Sequence, residues 1–295
     1  MAYCGGKGGA GVYQQIINKM PRHSVYIETH LGGGSIMKHK RTAAANIGID
    51  IYAVPLIAFR SIIGKHDDGR RSSLLKMAPG TEPSHTTVSD APAPLVINVD
   101  DCSRTFSSFS SMMASNDVGS DAISLIHGNA HNFLEQFDFK GDELVYCDPP
   151  YMFDTRKSKR QLYEHEYTDD DHINLLNIIK ELPCFVMISG YKSSLYKTML
   201  QHWYYFEFTA QTRQGPAVES LWCNFDPDKY AKHDTQFTGD NFRERERIKR
   251  KCERWMSKLR EMHQDERDVI VCSILDEYGD AAASLKMAIR DLQQL

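Results

Sequence analysis

The stretch that most constrains this chain is Glu143-Leu-Val-Tyr-Cys-Asp-Pro-Pro-Tyr151. Its first five residues form a short apolar run that reads as a buried strand. The two prolines fix φ and remove two backbone donors, so the chain must leave the sheet there, extended and rigid. A carboxylate (Asp148), the Pro149 carbonyl and an aromatic ring (Tyr151) are then left side by side at the carboxyl end of the strand, with Pro150 between them. Asp148 and the Pro149 carbonyl can each accept one N–H while Tyr151 stacks on a ring, a combination that suits an exocyclic amino group on a flat base. A Pro-Pro turn without chemistry is the plain alternative, because such turns are common. Supporting motifs decide between them.

The strongest of these lies upstream, where Ser24-Val-Tyr-Ile-Glu-Thr-His30 alternates as a strand, meets Leu31-Gly-Gly-Gly-Ser35, and continues into a helix from Ile36. With no side chains at Gly32, Gly33 and Gly34, a nucleotide can lie against the main chain. The spacing is not Gly-x-Gly-x-x-Gly, which argues against a nicotinamide cofactor. The next strand, Asn46 to Asp50, ends in an acid that can hold both ribose hydroxyls, or cap a helix over Ala53 to Gly64, or both. Residues 65–121 are rich in Ser, Pro, Asp and Gly and read as an insertion. They hold one strand, Pro94 to Val99, whose Asp100-Asp101 is a rival to Asp50 for the ribose. Beyond it come a strand over Ala122 to Asn129, the Asp148 strand, a loop with Arg156-Lys-Ser-Lys-Arg160, a helix capped by Thr168 and ended by Pro183, and a strand over Phe185 to Tyr191. Two antiparallel strands then flank a turn at Gln211 to Pro216, and the pattern from Asn241 onward is helical and charged. The expectation is a mostly parallel α/β sheet with an antiparallel edge hairpin: a core of residues 1–64 and 122–235, and a helical extension over 236–295.

No apolar run approaches the ~20 residues of a membrane span. The start lacks a secretory signal's apolar core, and the seven cysteines form no Cys-x-x-Cys pair. A reducing cytoplasm is expected, with no membrane and no structural zinc. His127 and His131 are spaced i, i+4, but Gly128 interrupts any shared helix, so a metal pair is not expected. The net charge of −4 hides an asymmetry: residues 241–260 carry nine Lys or Arg against three Glu, which leaves +6 there and −10 over the remainder. A nucleic-acid partner is thus compatible with an acidic chain.

The order Tyr3-Cys-Gly-Gly-Lys7, Tyr26-Ile-Glu-Thr-His-Leu-Gly-Gly-Gly34, Asp50, Gly128-Asn129 and Asp148-Pro149-Pro150-Tyr151 resembles the Dam-like DNA adenine N6-methyltransferases, particularly compact phage and bacterial members. The resemblance covers residues 1–60 and 122–228. It implies a Rossmann-like fold, S-adenosylmethionine as cofactor and double-stranded DNA as partner. By the same resemblance Tyr3, Lys7, Glu28, Gly32, Gly33, Gly34, Asp50, Asn129 and Asp148 contact the cofactor, and Asp148 with Tyr151 addresses a flipped adenine. The chain departs from the family's pattern at Thr29-His30, where Pro-Phe is common, at Asn129, where Asp is usual, and over 65–121, which is shorter than a target-recognition domain. Contacts to DNA are therefore expected from Arg156 to Arg160 and from Arg243 to Arg254. RNA adenine methylation, or an inactive fold that binds nucleic acid, are the rival readings.

Overall fold

The structure is a computed structural model that describes residues 6–9, 11–74, 95–98, 122–156, 160–161, 163–212 and 215–277. Eight strands form one sheet in the order β3-β4-β2-β1-β5-β6-β8-β7. They are β1 (Val25–Thr29), β2 (Ala45–Asp50), β3 (Leu95–Asn98), β4 (Ala122–His127), β5 (Glu143–Cys147), β6 (Phe185–Gly190), β7 (Tyr204–Thr212) and β8 (Gly215–Cys223). The first six pair in parallel; β8 runs antiparallel to β6 and β7 antiparallel to β8. This is the doubly wound, Rossmann-like arrangement that the sequence predicts, edge hairpin included.

Burial explains the strand sequences. Every residue of β2 and β5 is buried, and β1 is buried from Tyr26 to Thr29, so these strands are near-continuous apolar runs, as a parallel sheet covered on both faces requires. Their few polar side chains are paired: Glu143 accepts from the Lys140 and Gly141 amides, and Asn46 binds Lys40 and both backbone groups of Ala43. One core cluster gathers Ile27, Ile47, Val145, Leu175, Ile179, Val186 and Trp222, and each such side chain contributes ~1.5–3 kcal/mol by leaving water.

Helix α1 (Val12–Ile17) precedes β1, and α2 (Ser35–His39), α3 (Ala53–Leu74), α4 (Ala130–Gln136), α5 (Asp169–Glu181) and α6 (Ser194–Met199) connect the strands. The α5 start is a capping box between Thr168 and Asp171, the cap that its sequence signals. Two boundaries differ from expectation. Helix α3 continues ten residues past Gly64, into the stretch read as an insertion; a single glycine costs a helix only ~1 kcal/mol and does not stop it. The hairpin is tighter than Gln211 to Pro216, since Gln211 pairs with Pro216 and Thr212 with Gly215 inside the ladder. The strand expected around Leu95 is β3, whereas Asp100 and Asp101 lie outside the described residues.

The sheet's register fixes the site. Thr29 pairs with Cys147 and with Ile49, and Asp50 pairs with His127, so the residues that follow β1, β4 and β5 emerge level with Asp50. The chain turns outward in opposite directions from β1 and β5, and ligands of open α/β sheets bind where that reversal opens a crevice at the strands' carboxyl ends. The chain divides into two compact units, 1–234 and 235–295. The second, by itself, contains α7 (Phe242–Glu261), capped by the Asn241 side chain, and α8 (Gln264–Glu277).

Candidate active site

The glycine turn leaves β1 through His30, which has φ 61°, and passes Gly32 (φ 48°) and Gly34 (φ 58°). Left-handed backbone is unfavourable for residues with a Cβ. At Gly34 a Cβ would also sit 2.3 Å from Phe59 of α3, so glycine is required there on two counts. Asp50 secures the turn: its two carboxylate oxygens accept from the Gly32 amide at 2.8 Å and the Tyr52 amide at 2.9 Å. Burial pushes its carboxyl above the usual range, against the pull of those amides. Each oxygen retains a second acceptor site directed by the same fixed geometry.

Glu28, beside the turn, is 3% exposed and accepts from the Tyr26 hydroxyl and the Met37 amide through Oε2. Burial raises its pKa to about 8. His30 occupies one of the positions that depart from the family's pattern. Its Nε2 lies 2.7 Å from the Tyr167 hydroxyl, and burial holds its pKa down to about 3, so it is neutral. His131 and His172 both meet the Tyr167 ring edge-on, which fixes the 163–167 loop over the crevice.

Asp148 stands where two adjoining pockets meet. One is lined by Lys7, Glu28, the glycine turn, Pro149 and Tyr151; the other by Asp50, Asn129, Pro150, His165 and Tyr167; His30, Asp148 and Tyr163 line both. Asp148 Oδ1 accepts from Lys7 Nζ at 2.6 Å and from Ser189 Oγ at 2.8 Å. Among the described residues no donor reaches Oδ2, so that oxygen is the one left for an incoming N–H. Burial raises the Asp148 carboxyl, with Lys7 opposing the shift. Lys7 also donates to the Tyr151 hydroxyl at 2.7 Å and lies 3.3 Å from Glu219 Oε2, while Tyr151 donates to Glu219 Oε1 at 3.0 Å. Burial lowers the lysine's pKa, but the neighbouring carboxylates of Asp148 and Glu219 outweigh it and the net shift is upward. One cation thus sits between two carboxylates in a buried cluster.

Several expected site residues meet here and others do not. Lys7, Glu28, Gly32 to Gly34, Asp50, Asn129, Asp148, Pro149, Pro150 and Tyr151 all line the crevice. Asn129 also caps α4, its Oδ1 accepting from the His131 and Asn132 amides. Tyr3 lies outside the described residues. The Tyr151 ring is buried at 7% exposure, with Tyr191 4.3 Å from its centroid and Lys7 at its hydroxyl, so it offers little open surface to a base. Phe153, 44% exposed, is the open aromatic of the same loop. Arg156 is corrected: it is 5% exposed, donates to the Tyr151 carbonyl and forms a two-pronged ion pair with Glu166, so it braces the loop and does not face phosphate. Lys157 to Lys159 lie outside the described residues. Sequence reasoning missed Glu219 and Ser189; an acid in the middle of the apolar β8 was the one available signal for Glu219.

Among the described residues no helix is long and apolar enough to cross a membrane, and no group of three or more His, Cys, Asp or Glu could hold a metal ion. No curated protein matches the chain. Similar solved structures include SMU.1697c of Streptococcus mutans in complex with SAH (10% identity, 71% of this chain and 94% of that one, TM-score 0.37). Others are M. capricolum TrmK with S-adenosyl-homocysteine (10%, 91% and 96%, TM-score 0.38) and magnesium protoporphyrin IX methyltransferase of Synechocystis PCC 6803 with bound SAM (10%, 72% and 80%, TM-score 0.35). Residues 107–213, which contain β4, β5 and the Asp148-Pro149-Pro150-Tyr151 corner, match the family model of D12 class N6 adenine-specific DNA methyltransferases.

Proposed function

We propose that the protein methylates N6 of adenine in double-stranded DNA, with S-adenosylmethionine as donor. The observation that carries this reading is the position of Asp148, shared by the two pockets and with Oδ1 held by Lys7 and Ser189 so that Oδ2 is presented to the crevice. The D12 match over the same corner supplies the substrate class.

The crevice fits the donor on two structural grounds. Gly32, Gly33 and Gly34 line the crevice without side chains, so the backbone there can lie directly against a ligand. At the other end, the doubly anchored Asp50 offers remaining acceptor sites to a ribose diol. Glu28 would face the amino-acid part, and Asn129 with Pro150 the base. S-adenosylmethionine, when bound, supplies an electrophilic methyl group on a sulfonium.

The protein's part is then positioning and charge placement. Asp148 Oδ2 and the Pro149 carbonyl accept the two N–H groups of the target amine, which raises the nucleophilicity of a nitrogen otherwise delocalised into its ring. As positive charge grows on that nitrogen the carboxylate stabilises it, and a carboxyl raised by burial is suited to receive the departing proton. Lys7 and Ser189 keep Oδ1 occupied and so fix the carboxylate plane. The target must leave the duplex stack to reach the corner, at a cost of a few kcal/mol.

The test is incubation with labelled donor and, separately, unmethylated duplex DNA, RNA and protein, followed by nucleoside analysis. N6-methyladenine in the DNA arm, lost in Asp148→Ala with the fold intact, is the expected result. Label confined to RNA or protein would overturn the substrate, and transfer undiminished by Asp148→Ala would overturn the role of the corner.

A further inference from the structure

Helix α7 has no buried residue, and its charges are not spread evenly. Arg243, Arg247, Arg250 and Arg254 are all exposed. At about 100° per residue they fall within an arc of about 60°, and Lys251 and Lys258 widen the same stripe to about 100°. Ile248, Cys252, Trp255 and Leu259 occupy a separate arc, so the helix has a basic side distinct from its apolar one. Among the described residues Arg243, Arg250 and Arg254 form no ion pair, and Arg247 has only Glu244, at 3.5 Å on the exposed surface.

Such a stripe has little reason to exist as a solvated face, because like charges four residues apart destabilise a helix. It is also the chain's main concentration of positive charge, since the residues outside 241–260 carry −10. A polyanion is repelled by that remainder and is attracted here. The stripe is led by arginine, whose planar fork matches phosphate in a two-pronged manner, where lysine offers a point charge. From Arg243 to Lys258 it runs about 22 Å along the axis. Over that length a duplex presents about 13 phosphates.

We propose that this face of α7 is a sequence-independent docking surface for the phosphate backbone of duplex DNA, an inference that rests on the DNA substrate proposed above.

The test uses the full chain in three forms: wild type, a stripe variant R247Q/R250Q/R254Q, and a charge-matched variant R245Q/K249Q/R260Q altered off the stripe. Glutamine keeps helix propensity close to that of the residues it replaces. Affinity for a labelled 20-base-pair duplex is read by anisotropy from 50 to 200 mM salt. The stripe variant should lose about 2.7 from the slope of log K against log salt, so that the fourfold rise in salt weakens wild type about 40-fold more than it weakens this variant. The off-stripe variant should lose much less. Equal losses in the two variants, or none in either, would overturn the docking surface. So would an unchanged DNA slope accompanied by lost binding to anionic phosphatidylserine vesicles, which would make α7 a membrane-surface helix. Nucleoside analysis on the same samples separates the two proposals: a lost slope with no methyladenine formed refutes the reaction and leaves the docking surface standing.

Discussion

Replacing Lys7 with methionine removes the one cation of a buried cluster and leaves Asp148 and Glu219 facing each other. The side chains concerned are 3%, 17% and 6% exposed for Lys7, Asp148 and Glu219, at 2.6 and 3.3 Å, so solvent screens them little. Truncating one partner of a buried pair costs ~3–5 kcal/mol when the remaining charge must stay ionised. The cluster has an escape, which is to bind a proton. Neutralising one carboxylate of ordinary pKa costs about 2 kcal/mol at pH 5 and about 6 kcal/mol at pH 8. A carboxyl raised in the folded state gives stability that is full below its unfolded value and is lost as pH rises through the folded one. The deficit of Lys7→Met should therefore be ~2 kcal/mol at pH 5, where protonation caps it, and grow to ~3–5 kcal/mol at pH 8. Adding Glu219→Gln should recover ~1–2 kcal/mol in the Lys7→Met background at pH 8, although the same change alone is destabilising. Urea unfolding of the four proteins of this cycle at both pH values is the assay. A deficit equal at pH 5 and 8, or a Glu219→Gln cost that is the same with and without Lys7, would refute the cluster as an electrostatic unit.

Three further outcomes are expected. Asp50→Ala should weaken S-adenosylmethionine binding by ~1–3 kcal/mol in calorimetry, from unpaired ribose hydroxyls; unchanged affinity would remove the ribose role from Asp50. Gly34→Ala should destabilise by ~2–4 kcal/mol, combining left-handed strain with the collision on Phe59, and Phe59→Leu should return part of that in thermal unfolding; a loss below ~0.5 kcal/mol would mean the turn relaxes freely. Glu28 is protonated in the fold up to about pH 8, whereas the unfolded carboxyl ionises near its ordinary value. Wild-type stability should then fall relative to Glu28→Gln as pH rises across that window, by up to ~5 kcal/mol, and a flat difference in urea midpoints would count against the raised pKa.

What was legible in the sequence is what local physics dictates. The central strands announce themselves because burial on both faces demands unbroken apolar runs, and the glycine turn because Gly32 and Gly34 take left-handed backbone and no side chain fits at Gly34 against Phe59. Asp50 and Asp148 are readable from their place at strand ends. What could not be read depends on pairing over long separations. Glu219 reaches Tyr151 across 68 residues and becomes a site residue only because β8 inserts beside β6, an order that no local pattern specifies. Arg156 misled for a different reason: its partner Glu166, ten residues on, is supplied by the return path of a loop, and one arginine of a basic run became a buried brace. The end of α3 was misplaced because a glycine's small penalty is easily outweighed by its neighbours.

The ion pair of Lys7 with Asp148 closes a loop of 141 residues, and Glu219 joins it from β8, so the corner draws on both ends of the 1–234 unit. During synthesis the ribosome releases Lys7 first, Asp148 well after it and Glu219 last of the three. Until β8 has emerged and slotted between β6 and β7, the nascent chain has the Asp148 strand without its complete set of partners. Such distant pairings form late, because the entropy of closing the loop must be met before the contacts reward it. A growing or truncated chain that stops short of β8 would therefore carry every recognisable motif of the site and still lack the charge balance that holds Asp148 in place.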